Sequence, residues 1–187
     1  MNNWNKKNAL RMVLYAVLYA AMSAVVCVTG SFHPIFFVCY QITAGILLSG
    51  IIIKAFNTVK APGAAACLAL AMLLLLVIIG DAVMWHVMSL IVIAVLAEVI
   101  RKVADYSWNG DAAATAVMSF STFGYYGQIW FNRAYTYECC LKEMPAGYGD
   151  GLMVLSPAWA LPVVVILGVA ASVVVSNVTA KLFKLEK

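Results

Sequence analysis

Long apolar runs separated by short polar breaks set the pattern of this chain. Segments 9–29, 35–53, 63–80, 86–100, 112–131 and 155–180 each approach the roughly 20 mostly apolar residues that cross a bilayer as a helix. They predict six transmembrane helices. The breaks carry turn chemistry: Gly30 to Pro34, Lys54 to Gly63 with Pro62, Gly80 with Asp81, and the polar stretch from Arg101 to Asp111. Runs such as Leu68 to Ile79 show no period-two alternation, so barrel strands are a poor alternative. The first apolar run continues to Thr29, too long for the apolar part of a cleavable signal, and is read as a helix that stays. No period of 20–50 residues repeats, and residues 1–187 read as one all-α integral membrane domain.

Composition narrows the function. Of 187 residues, 65% are apolar and 11% charged, against roughly 45–50% and about 25% in soluble domains. Six spans consume roughly 120 residues and leave no room for a separate soluble catalytic or nucleotide-binding domain. The net charge of +4 is dispersed between apolar blocks, without the basic stripe that nucleic-acid binding requires. Its distribution instead sets orientation. With the N-terminus inside, Lys6, Lys7, Arg11, Lys54, Lys60, Arg101, Lys102, Lys181, Lys184 and Lys187 fall on the inner face, ten of the twelve cations. Arg133 and Lys142 alone fall outside, with Asp81, Glu138, Glu143 and Asp150; the acids Glu98, Asp105, Asp111 and Glu186 lie at the inner side. Both termini are expected in the cytoplasm.

Catalytic signatures are missing. There is no His-Glu-x-x-His, no P-loop and no Gly-x-Ser-x-Gly, and only His33 and His86 are available as imidazole bases. An enzyme is not expected, and neither is a resident cofactor. Cys27, Cys39 and Cys67 sit in apolar runs as small hydrophobes. The adjacent Cys139 and Cys140 lie outside, as unliganded loop thiols or as a soft-metal or oxidisable pair. Ala16, Ala20 and Ala24 place small side chains on one face of the first helix, suited to packing within the bundle or to docking a partner helix.

The segment from Tyr125 to Trp159 concentrates aromatic, amide and charged residues. Tyr125, Gln128, Asn132, Arg133, Tyr137, Tyr148 and Trp159 are candidate ligand contacts there, joined from other outer breaks by His33, Trp85 and His86. Trp and Tyr also anchor helices at headgroup level, which is the competing role for Tyr125, Tyr126, Trp130 and Trp159. Arg133 either pairs with Glu138 or Asp150 or holds a ligand carboxylate. His33 and His86 are metal ligands only if the ligand is haem.

Three runs carry a resemblance: Tyr125-Tyr126-Gly127 through Phe131-Asn132-Arg133-Ala134-Tyr135, then Gly147-Tyr148-Gly149-Asp150-Gly151-Leu152, then Leu155-Ser156-Pro157-Ala158-Trp159-Ala160-Leu161-Pro162. With them, the chain resembles the substrate-binding S component of energy-coupling factor (ECF) type importers, and more narrowly the Trep_Strep (MptE-like) integral membrane family. The resemblance implies docking through Ala16, Ala20 and Ala24 onto a transmembrane coupling subunit that works with two ATPase subunits. It also implies an outward pocket for a scarce nutrient in a multi-pass protein of the bacterial cell membrane. From the aromatic rim and Arg133, haem or another tetrapyrrole is the first expectation for that nutrient, and a smaller vitamin the second. The rival expectations are an intramembrane enzyme using Asp81, His86 and Glu138 on a lipid-borne substrate, and a self-sufficient small transporter.

Overall fold

Asn5 opens the first helix by accepting a hydrogen bond from the Asn8 amide at 2.8 Å, meeting one of the unpaired N–H groups of the first turn. In the computed structural model, which describes residues 3–185, this helix α1 covers Lys6–Phe32 and is followed by the short α2, Pro34–Val38, and by α3, Tyr40–Thr58. The chain continues through α4 (Ala64–Ile78), α5 (Met84–Val103) and α6 (Trp108–Met118). The short α7 (Phe123–Tyr126) and α8 (Gln128–Phe131) lead to α9 (Arg133–Glu143), α10 (Tyr148–Leu155) and α11 (Ala160–Phe183). Every regular element among the described residues is helical. Glu186 and Lys187, placed with the inner charges above, lie outside the described residues.

Helices α1, α3, α5 and α11 are long and apolar enough to cross a membrane. Two of the expected spans take other forms. The third is only the 15 residues of α4, about 22 Å of rise. The fifth is discontinuous: α6 passes into a single 3₁₀ turn, Ser119–Thr122, before α7 and α8. Ser119 explains part of the break, because its hydroxyl donates to the Ala116 carbonyl at 2.7 Å and competes with the backbone ladder. Irregular backbone within an apolar bundle is tolerated where protein covers it, and Ser119, Ser121 and Thr122 are all buried.

One end of the bundle gathers the cations. Trp4 Nε1 donates to the Pro62 carbonyl at 2.8 Å, and Lys54 Nζ stands 3.4 Å from the centroid of the Phe183 ring. These contacts bring the start of α1, the α3–α4 turn and the end of α11 together. Arg101, fully buried, binds the turn from inside: Nε donates to Asp111 Oδ1 at 2.7 Å, and one terminal nitrogen donates to the carbonyls of Val59 (2.7 Å) and Phe56 (3.2 Å). Glu98 completes the joint by accepting from the Gly63 and Ala65 amides, at 3.0 and 2.7 Å, where α4 starts. Gly63 is at φ +101°, a conformation that favours glycine. Both described chain ends therefore lie on this side, and His86, fifteen residues before Arg101 on α5, marks the opposite one.

The core is tightened by small residues. A Cβ on Gly168 would come within 2.4 Å of Gln41 Cγ, and one on Gly45 within 2.4 Å of the Gly168 carbonyl, so α3 and α11 meet backbone to backbone. Ser49 and Ser172 share a hydrogen bond of 2.7 Å across that seam. Deeper, Tyr126 donates to Gln41 Oε1 at 2.8 Å, and Gln41 Nε2 donates to Ser119 Oγ at 3.0 Å. This chain of satisfied groups holds the discontinuous helix against α3. The outward faces carry exposed Leu, Val and Ile such as Leu10, Val17, Leu70, Ile166 and Val174, as a lipid-facing surface does.

Candidate functional site

At the end opposite the cations, the chain forms a half-open cavity of about 220 Å³. Its floor comes from Cys27 and Gly30 of α1, from Phe37 of α2 and Tyr40 of α3, and from Asp81 and His86. Tyr125 and Gln128 supply one wall. The roof is α9, with Tyr148 at the start of α10. Two rows at four-residue spacing on α9, Tyr135-Cys139-Glu143 and Thr136-Cys140, line the space because residues four apart share a helix face, and Met144 joins them just past the helix end.

His86 is the hub. Its Nδ1 lies 3.0 Å from the Asp81 carbonyl and its Nε2 lies 3.3 Å from Gln128 Nε2. A carbonyl only accepts, so Nδ1 carries the proton toward Asp81 and Nε2 accepts from the amide. The ring stacks on Tyr125 with centroids 4.0 Å apart, and Tyr125 donates its hydroxyl to Asp81 Oδ2. Gly124 permits this arrangement, since a Cβ there would come within 2.7 Å of His86 Cα. On the far side, Tyr40 donates to the Cys27 carbonyl and Tyr148 to the Gly30 carbonyl. Burial pushes the Tyr148 hydroxyl up to about 12, with the Cys140 thiol adding to the shift, so it remains a proton donor at neutral pH.

Of the ten residues expected to contact ligand, His86, Tyr125, Gln128 and Tyr148 line the cavity. His33, Trp85, Asn132, Arg133, Tyr137 and Trp159 are not among its lining. His33 stands apart from His86 in role: its ring Nδ1 accepts from the Ile35 amide at 3.2 Å and caps α2. Arg133 takes neither expected partner. It donates to the carbonyls of Ser156, at 2.9 Å, and Met153, closing the C-terminal end of α10. Tyr137 donates to Asp150 Oδ1 at 2.9 Å and ties α9 to α10 outside the cavity. Trp85 and Trp159 are exposed, as interfacial anchors are.

The alanine row on α1 also divides. Each four-residue step advances about 40° around a helix, so Ala16 is buried while Ala20 and Ala24 drift to the half-buried margin. Ala16 packs within the bundle; Ala20 and Ala24 stand where the buried face meets the lipid-facing one. Sequence reading overlooked Tyr40, Tyr135, Thr136 and Glu143. The α9 pair of rows was the available signal, hidden while the stretch between the fifth and sixth expected spans, residues 132–154, was read as a loop.

Among the described residues no group of three or more His, Cys, Asp or Glu side chains is placed to hold a metal ion. A family model described as a hypothetical bacterial integral membrane protein (Trep_Strep) matches residues 6–186. No curated protein and no solved structure matches the chain.

Proposed function

Because the chain belongs to the Trep_Strep family of bacterial integral membrane proteins, we propose that it is the substrate-binding subunit of an ECF-type micronutrient importer. It is read as a multi-pass protein of the bacterial cell membrane. The cationic end lies in the cytoplasm, and six crossings are made by α1, α3, α4, α5, the α6–α7 pair and α11. The observation that carries the reading is the capped cavity at the end opposite those cations.

A binding subunit needs a ligand site and a docking face, and it takes its energy from elsewhere. The cavity supplies the first, and the small-residue margin at Ala20 and Ala24 suits the second. A coupling subunit and two ATPases supply the energy by binding free and loaded states with different affinity. A self-sufficient transporter fits less well, because the buried ion pair of Arg101 and Asp111 knits helix ends together at the cationic end. The enzyme reading brings Asp81 and His86 together, yet both His86 ring nitrogens are engaged by protein groups. Glu138 is exposed on α9 and is not in the lining.

The ligand is small. About 220 Å³ is below the roughly 300–1,000 Å³ of drug-sized sites, and a tetrapyrrole exceeds most such ligands. Iron ligation by His86 Nε2 would also cost the Gln128 contact, and His33, whose Nδ1 caps α2, is not in the cavity lining. A compact amphipathic vitamin-like nutrient therefore replaces haem as the first choice. Affinity purification from bacterial membranes is the test. Recovery with a coupling subunit and two ATPases supports the reading, whereas solitary turnover of a lipid-borne substrate contradicts it.

A further inference from the structure

Most of the cavity's strong donors are committed to the protein: Tyr40 to the Cys27 carbonyl, Tyr125 to Asp81, Tyr148 to the Gly30 carbonyl, and His86 to the Asp81 carbonyl, which leaves the exposed Tyr135 hydroxyl beside Cys139 as the exception. Gln128 Nε2 donates to the Gly124 carbonyl at 2.8 Å and faces His86 with its other hydrogen, and Thr136 donates to the Asn132 carbonyl at 3.1 Å. An anion needs several donors, and all but one of these are taken. The charges point the same way. Asp81 and Glu143 line the space, while no Lys or Arg does.

Arg133 is held by the carbonyls that end α10, and Lys142 is exposed on α9 outside the lining. Phe37, Tyr40, Tyr125, Tyr135 and Tyr148 line the same cavity as the two carboxylates, and ring faces attract cations. The outer breaks carry Asp81, Glu138, Glu143 and Asp150 against Arg133 and Lys142, a surplus of acid that draws cations toward the opening.

We propose that this cavity selects a small organic cation, an ammonium-bearing or similarly charged aromatic nutrient, with Glu143 and Asp81 as the counter-charges and the tyrosine rings as the cage. The proposal rests on the reading of the cavity as the ligand site of a binding subunit. It reverses the charge expected from Arg133.

The test uses the whole protein in lipid nanodiscs with three probes of one shape, phenethylamine, phenethyl alcohol and phenylacetate, titrated calorimetrically into the millimolar range. Phenethylamine is expected to bind at least about tenfold more tightly than the other two. Glu143→Gln, at an exposed helix end, is expected to weaken phenethylamine about fivefold or more and to weaken the alcohol less. Asp81→Asn, with its unfolding temperature followed in parallel, is expected to do the same. Equal or tighter binding of the alcohol or the acid overturns charge selection and leaves the binding-subunit reading standing. Failure of all three probes also overturns charge selection. The binding-subunit reading is tested separately, by purification with its partners.

Discussion

Arg101 donates its Nε to Asp111 Oδ1 at 2.7 Å with both side chains withdrawn from solvent, and the same guanidinium binds the carbonyls that end α3. A single buried charge thus joins α3, α5 and α6. Removing Arg101 leaves Asp111 buried without its ion-pair partner, which costs about 3–5 kcal/mol, and removing Asp111 leaves the buried Arg101 with only the longer 3.9 Å pair to Glu98. Arg101→Ala and Asp111→Ala are each expected to lower the unfolding temperature sharply. The paired replacement Arg101→Met with Asp111→Leu is expected to recover part of the loss. Thermal unfolding in detergent checks this, and a paired variant worse than either single one refutes the assignment.

Arg133 closes a helix end. Arg133→Ala is expected to cost about 1 kcal/mol of stability by freeing the carbonyls of Met153 and Ser156. Phenethylamine affinity should stay within about threefold, since the side chain is not in the cavity lining. A large loss of affinity at unchanged stability would return Arg133 to the ligand site.

Two glycines separate packing from binding. Gly168→Ala places a Cβ 2.4 Å from Gln41 Cγ and 2.7 Å from the Gln41 carbonyl, and overpacking of this kind costs about 1–3 kcal/mol. Gly124→Ala pushes on His86 Cα and should deform the cavity wall. The first is expected to act on unfolding temperature with phenethylamine affinity largely kept, and the second on affinity. Calorimetry and thermal unfolding of both variants distinguish the two effects.

Cys140 reports on the roof. Burial, then Cys139 and Glu143, push its thiol above the ordinary range, so less of it is thiolate at neutral pH than in a free cysteine. In a protein retaining only this cysteine, N-ethylmaleimide is expected to react slowly at neutral pH and faster as pH rises past the usual thiol range. Saturating phenethylamine should slow the reaction further. Labelling as fast as in a free peptide would mean that α9 does not cover the cavity.

The all-helical fold and four long apolar helices were legible because apolar runs follow from bilayer physics with little help from tertiary contacts. His86, Tyr125, Gln128 and Tyr148 were legible as polar and aromatic residues gathered at outer breaks. The carbonyl partners of Arg133 were not legible, because a sequence shows only that a cation follows an apolar run, while the carbonyls ending α10 exist only once residues 148–155 have become a helix. Tyr135 and Glu143 were missed for a related reason: their shared face needs α9. The break between α6 and α7 goes in part with Ser119 turning to the Ala116 carbonyl, a choice that hydropathy does not register.

Mass spectrometry of small molecules released from the purified protein, beside a Thr136→Trp variant that fills the cavity, tests the central claim most directly. The account predicts a low-mass organic cation, near one per chain, released from the unaltered protein and lost from the variant. Only lipid and detergent from both proteins, or the same molecule in equal amount from each, would contradict it.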